Sequence, residues 1–427
     1  MYIKVLIDFI LFVISFKKVY QSYIIYPFKK SIKQLKIYPE DILQNDLEIT
    51  IEIGTPPQKI DLNLRSKEYT FFISSSDLNL PFTTFNRTNS NSFTRVMNFT
   101  STFNGKEYKK GFKINESIII NNEENKNISL IYATEISYNE SGALGLKLLD
   151  SYQFGVDLSF IYQIKNPANF DNYSFSLKYD EKDDEKGHLL IGSYPHIYDS
   201  KNYFEDNFYY LKTGKLANMI DWVLDFDIIK YNDAEINNII KNCSIRIEFG
   251  LIQAPFKLKE YFKEKLFFGE CNENYYSKRN IHIINCSKSF NISKFKDLSF
   301  TLKVIEYEFV LTYKDVFIER ENDYIFGIVF DGETDENKSS WIFGKLFMKK
   351  YQLFFDLDRK IIGIYKNNNK KGEKNKKFNI IIYIIVIIFL VLVSIGLVFV
   401  IVYLITKQRK NKAYELKDDN FDYIPSE

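Results

Sequence analysis

Residues 51–75, IEIGTPPQKIDLNLRSKEYTFFISS, are the stretch that most limits the fold. Ile51, Ile53, Ile60, Leu62 and Leu64 alternate with polar residues, the period of a strand with one buried face. Gly54-Thr55-Pro56-Pro57 breaks the run as a turn, so the stretch reads as a hairpin in a sheet. From Asp46 onward short alternating runs are separated by Asn, Gly and Ser clusters, with no long 3.6-residue period. The body is therefore expected to be all-β. At 427 residues the chain is too long for one small core and suits two halves plus extras. Aromatics at 17% and hydrophobics at 45% supply a packed interior, and a formal net charge of +2 gives no global field to draw in nucleic acid.

The ends carry targeting signals. Residues 1–22 have Lys4, an apolar run from Val5 to Phe16 interrupted by Asp8, then Lys17 and Lys18. That is the pattern of a secretory signal peptide, too short to span a bilayer. Ile380–Ile405 has no charge over 26 residues, enough to cross a hydrocarbon core. Lys407, Arg409, Lys410 and Lys412 follow it, and the linker 366–379 before it is also basic. Orientation therefore rests on the signal peptide and on about ten Asn-x-Ser/Thr sites between Asn86 and Asn337, Asn98, Asn115, Asn139 and Asn291 among them. The expectation is a type I single-pass glycoprotein. Its body is extracellular or in the lumen of the secretory or lysosomal pathway, and its tail, 406–427, is a solvated stub carrying Tyr414 and Tyr423.

Several motifs, in order, resemble those of the pepsin-like aspartic proteases. They are Ile53-Gly54-Thr55-Pro56-Pro57-Gln58, Phe72-Ile73-Ser74, Gly142-Ala143-Leu144-Gly145-Leu146, Ser159–Ile164, Tyr173–Leu177, Gly187–Gly192, Trp222–Ile228 and Ser339–Phe347 with Phe354-Phe355-Asp356 after it. The likeness covers about Asp46 to Tyr365. It implies an all-β, bilobal pepsin-like fold with lobes at 46–199 and 200–365, joined to one C-terminal transmembrane helix. It puts residues 23–45 where that family has a propeptide, with Lys29, Lys30, Lys33 and Lys36 as its basic residues. A flexible leader is the preferred reading, since there is no acidic dyad to cover. Residues 99–120 take the place of the flap hairpin, whose tyrosine falls at Phe103 or Asn104 before Gly105. The resemblance also implies a disulfide between Cys271 and Cys286, leaving Cys243 over. Asp225 and Asp227 are expected to be solvated, and His188 has no Cys or His near it that would make a metal site.

The chemistry of that family needs two carboxylates sharing one proton, one as base on a held water and the other as acid. Each comes from an Asp-Thr/Ser-Gly loop. Eleven positions after Gly54 stands Arg65, followed by Ser66, Lys67 and Glu68. Nine positions before Pro255 stands Arg246. A gapped alignment of Ile247–Gly250 instead puts Glu248 at the second site. Arginine stays protonated and cannot act as a base. The leading reading is a catalytically inactive pseudoprotease that binds peptide or protein in the cleft between its lobes. Arg65, Lys67 and Arg246 would favour acidic peptides or a carboxylate terminus there. Alternatively the arginines pair with Glu68 or Glu248 and plug the cleft. Two other readings stay open: an active aspartic endopeptidase with an unconventional dyad, and a surface adhesin or structural glycoprotein. No cofactor, metal or nucleic acid is implied, and the sequence leaves the oligomeric state open.

Overall fold

A computed structural model describes residues 23–366, apart from 32–37, 104–105, 122, 138–139, 149–157, 165–169, 171, 214, 217–218, 238, 268 and 334–338, together with residues 400–407. The chain separates into two compact units, Met1–Lys366 and Asn367–Glu427. The signal peptide, most of the basic linker, nearly all of the transmembrane stretch and the tail lie outside the described residues. Residues 400–407 are helical and exposed. Among the described residues no helix is long and apolar enough to cross a membrane.

In the first unit the alternating stretch forms the hairpin expected of it. Strand β1 is Ile24–Lys30, β2 is Leu47–Ile53 and β3 is Gln58–Arg65. β2 and β3 pair antiparallel, with Ile53 opposite Gln58 and Glu48 opposite Asn63. Ile49, Ile51, Ile53, Ile60, Leu62 and Leu64 are all buried. Further along come β4 (Phe71–Ser74), β5 (Thr94–Phe103), β6 (Lys106–Ile120), β7 (Glu123–Ile136), β8 (Gly142–Gly145), β9 (Ser174–Tyr179), β10 (Lys186–Ile191) and β11 (Phe208–Lys212). They join a 13-stranded sheet in the order β11, 361–365, 353–356, β9, β10, β1, β2, β3, β8, β4, β7, β6, β5. Residues 223–343 supply a nine-stranded sheet and a four-stranded sheet.

The leader departs from the flexible segment expected. β1 is inserted between β10 and β2, paired antiparallel with both. Ile24, Tyr26 and Phe28 point into the core and Pro27 and Lys29 point out. The period-two pattern of IIYPFKK is real; Pro27 and Lys29 fall on the outward face and Lys30 ends the strand half-buried, a polar run that made the segment look unstructured. Farther on, Leu43 packs with Leu251, Ile281, Ile283, Ile325 and Val329. Lys33 and Lys36 lie outside the described residues.

Trp222 joins the two parts of the unit, its Nε1–H donating to the Leu146 carbonyl at 2.8 Å and its ring set edge-on against Phe175 and Phe355. Cys271 and Cys286 face each other on adjacent antiparallel strands and form the disulfide. Cys243 is a buried free thiol. Asp225 and Asp227 are exposed.

Candidate functional site

Two loops emerge from equivalent three-strand arrangements. In the first, β3 runs parallel to β8, with Leu64 opposite Leu144 and Arg65 opposite Gly145. β4 closes the other side of β8, with Phe71 opposite Leu144. In the second, 242–245 runs parallel to 341–343, with Ile245 opposite Phe343, and 252–254 closes with Ile252 opposite Phe343. Leu64 to Phe71 and Ile245 to Ile252 are both seven positions. Arg246, one step beyond Ile245, therefore has the place that Arg65 has in the first loop, and its N–H donates to the Phe343 carbonyl at 2.9 Å. Glu248 lies two positions farther on. Behind each loop is a glycine with no room for a side chain. A Cβ on Gly145 would overlap the backbone of Glu68 and Tyr69, and one on Gly344 would overlap the carbonyls of Phe249 and Leu251.

Neither arginine takes the partner expected from sequence. Arg65 Nη1 donates to Asp46 at 2.9 Å and Nη2 to Glu140. Burial alone would lower the pKa of this guanidinium, but Glu140 and Asp46 outweigh it and hold the pKa above its ordinary value. Arg246 forks onto Asp221, with Nη1 at 2.8 Å from Oδ1 and Nη2 on Oδ2. This pair is nearly dry, with Arg246 8% and Asp221 7% exposed. The two acids that the sequence offered as partners are held elsewhere. Glu68 accepts from Lys109 at 2.7 Å. The Lys109 side chain is fully buried, its ammonium 3.5 Å above the Phe72 ring. Burial pushes the Lys109 pKa down and Glu68 restores part of it. Glu248 Oε2 accepts from the Ser66 N–H at 2.9 Å and the Ser66 hydroxyl at 2.6 Å. The Ser66 hydroxyl also accepts from the Ile247 N–H at 3.2 Å, so it bridges the two loops.

Asp46, Glu140, Asp221 and Lys109 were not singled out from the sequence. A signal existed for three of them. Asp46 ends the segment before β2, Glu140 stands two residues before Gly142, and Asp221 stands directly before Trp222. Acids abutting the family motifs are the natural counterions once an arginine has entered each loop.

Between the loops is a cavity of about 680 Å³, within the roughly 300–1,000 Å³ range of ligand sites. Arg65, Lys67, Glu68, Glu140, Arg246 and Glu248 line it. Leu43, Phe249, Ile281 and Ile342 add apolar wall, and Arg279 and Gln253 stand in it as well. Lys67 is exposed at the mouth, its pKa lowered first by desolvation and then by the charge of Arg246. Phe103 ends β5, and the flap tip at Asn104 and Gly105 lies outside the described residues. Among the described residues no group of His, Cys, Asp and Glu is placed to hold a metal ion.

The family model described as Eukaryotic aspartyl protease matches residues 48–367. The chain belongs to that family. No curated protein matches it. Within an aspartyl protease framework, arginines stand at the two places where the loops leave their parallel strands. Each carboxylate lining the cavity has a cation or a hydroxyl of its own: Asp46 and Glu140 on Arg65, Glu68 on Lys109, Glu248 on Ser66.

Proposed function

We propose that this aspartyl protease family member is a catalytically inactive, membrane-anchored glycoprotein that holds an extended peptide between its two halves. The observation that supports this is the pair of arginines at equivalent register, each closed by acids. A guanidinium cannot accept the proton of a held water. The loop hydroxyl retained at Ser66 now holds Glu248, a single carboxylate on a longer arm. In this reading residues 1–22 direct the chain into the secretory pathway and 380–405 anchor it. The body faces the lumen or the outside, and some of the sequons carry glycan.

A second reading, a working endopeptidase, is supported by one contact, the Ser66 hydroxyl on Glu248, which would seat that carboxylate as half of a displaced dyad. The test incubates the full chain, in detergent, with denatured protein and a mixed peptide pool from acid to neutral pH, with and without a statine-containing inhibitor. The expected result is peptide retention without cleavage. Cleavage that the inhibitor blocks and Glu248→Gln abolishes selects the second reading. Retention that does not compete with peptide at the cavity selects the adhesin.

A further inference from the structure

The exposed apolar side chains of the body are not spread evenly over it. Among the described residues of the first unit, seven large ones are exposed, and four of these, Ile197, Phe204, Tyr210 and Val304, stand around the last strand, Ile361–Tyr365, where the chain leaves that unit. Val304 at 85% and Tyr210 at 63% are the most exposed of the seven. Single apolar residues on a surface are ordinary; a gathering of them marks a contact.

Each of the four is tied to the exit by a neighbour. Ile197 lies on the short helix Pro195–Tyr198 beside His196, whose Nδ1 is 2.9 Å from the Tyr365 hydroxyl. Phe204 follows Tyr203, whose ring centroid is 5.0 Å from that of Tyr365. Tyr210 lies on β11 opposite Gly363. Val304 precedes Ile305, whose carbonyl accepts from Lys366 Nζ. The Lys366 N–H donates to the Asn207 carbonyl at 2.9 Å, which fixes the exit among them. Tyr194, Phe208 and Phe354 pack ring on ring beneath.

The chain itself says what lies near this end. Residues 367–379 separate Lys366 from the uncharged run Ile380–Ile405, and such a linker spans at most roughly 45 Å when fully extended. Once that run crosses a bilayer, the end of the body bearing the exposed apolar groups is the one kept within that reach of it. Aromatic and aliphatic side chains of this kind favour the boundary between headgroups and acyl chains. The exposed charges beside them balance, Lys201, Lys212 and Lys303 against Glu205, Asp206 and Glu306, so they select no anionic leaflet. Not one Asn-x-Ser/Thr site falls in segments 194–212, 303–307 or 361–366, although the first contains Asn202 and Asn207. A glycan there would be bulky enough to hold the face off a bilayer.

We propose that this end of the body is a membrane-docking face, with Ile197, Phe204, Tyr210 and Val304 entering the headgroup boundary of a zwitterionic bilayer. This rests on the anchored reading above and goes beyond it, since a tether alone leaves the body free to stand off. Four side chains make a weak contact by themselves. The tether makes it count, because a short flexible linker holds the face at an effective concentration on the order of millimolar.

The test places the full chain in phosphatidylcholine vesicles with brominated acyl chains and introduces a tryptophan as Tyr210→Trp or Val304→Trp. Trp222 and Trp341 are buried, and the unaltered chain measures their background. A docked side chain sits about 5–10 Å deep, so quenching at both positions should be at least about threefold that of Tyr275→Trp, an exposed control on strand Cys271–Tyr276. Adding Ile197→Asp and Phe204→Asp should bring the Tyr210→Trp signal down to the control. Both residues are exposed, so the urea midpoint should not move. Exchanging part of the lipid for phosphatidylserine should change quenching by less than about 1.5-fold. Flotation with the vesicles, but quenching no stronger than in the control, overturns the docking face and leaves the anchor standing. Quenching that needs phosphatidylserine overturns it in favour of the lysines of the linker. Quenching that is weak and rises as the protein is diluted in lipid overturns it in favour of a second copy on β11, which ends its sheet. If the chain does not float with the vesicles, anchor and face fall together.

Discussion

The two loops place an arginine at the same register and neutralise it in different ways. Arg65 sits between two carboxylates drawn from separate segments, Asp46 ahead of β2 and Glu140 ahead of β8. Arg246 has one acid, Asp221, gripped by both terminal nitrogens. The first loop, Arg65-Ser66-Lys67-Glu68-Tyr69, has no glycine. The second keeps Gly250, where a Cβ would overlap the carbonyl of Ile42. That glycine lets the leader lie against the loop. Gly250 N–H donates to the Leu43 carbonyl at 2.8 Å and Asn45 N–H to the Glu248 carbonyl at 3.0 Å. Asn45 Nδ2 also reaches the Ile247 carbonyl at 2.8 Å. The first loop is thus closed by charge, and the second is closed by one ion pair plus a strap of chain. Unsatisfied hydrogen-bonding capacity on both a donor and an acceptor is found on the second.

The largest effect should come from removing the strap. A chain beginning at Asp46 loses β1 with its buried Ile24, Tyr26 and Phe28, each contributing about 1.5–3 kcal/mol of burial. It also exposes the edges of β2 and β10 and unties the second loop. Loss of several kcal/mol is expected, seen as a non-cooperative or strongly lowered urea transition. A native-like midpoint would show that the leader is dispensable to both loops. Next comes the buried pair. Asp221→Ala should cost about 3–5 kcal/mol, because it strands a buried guanidinium. Glu140→Ala should cost less, about 1–3 kcal/mol, since Asp46 remains on Arg65. Equal losses in paired denaturation curves would refute the claim that the first loop is the more redundantly compensated.

Charge reversal in the first loop is a finer test. Arg65→Asp introduces a carboxylate beside Asp46 and Glu140, whereas Arg65→Met places no new charge there. The aspartate variant should be less stable than the methionine variant by at least about 1–2 kcal/mol at neutral pH, from like-charge repulsion with the buried Asp46 and Glu140. The difference should shrink when Glu140 is also made Gln and vanish when Asp46 is made Asn as well. Equal stability of the Arg65→Asp and Arg65→Met variants would mean that the three acids do not meet.

Much of this was legible in the chain. The hairpin at 47–65 and the Gly-containing motifs behind each loop follow from period-two patterning and short motifs, which are local and strong, and the disulfide was implied by the family resemblance those motifs carry. The family assignment followed from their order. Partners of the arginines were not legible, because an ion pair joins segments 19 and 75 residues apart for Arg65 and 25 apart for Arg246. Sequence spacing named Glu68 and Glu248 as the nearest acids. The fold turns one toward Lys109 and the other toward Ser66. β1 was missed because a strand inserted between two others looks like any short mixed run until its neighbours are known. The flap tip and the membrane stretch lie outside the described residues and remain expectations.

The smallest predicted effect lies where the second loop's supporting helix meets the other half. Asp184, between β9 and β10, accepts from Lys345 at 3.0 Å and Lys349 at 2.6 Å, both on the helix that follows Gly344. Burial would raise the Asp184 pKa, but the two ammonium groups outweigh it and hold it below the ordinary carboxylate value. A carboxylate depressed on folding contributes stability above its unfolded pKa and loses it as pH falls through the folded one. The tie should therefore hold at neutral pH and weaken below about pH 4. At this exposure, with 35% of the Asp184 side chain in water, it is worth no more than about 1 kcal/mol. Asp184→Asn should lower stability slightly at pH 7, match wild type near pH ~2, and be less evident in high salt. A gap that persists at that acid pH would mean that Asp184 supports the second loop by packing, and that charge compensation is confined to the arginines themselves.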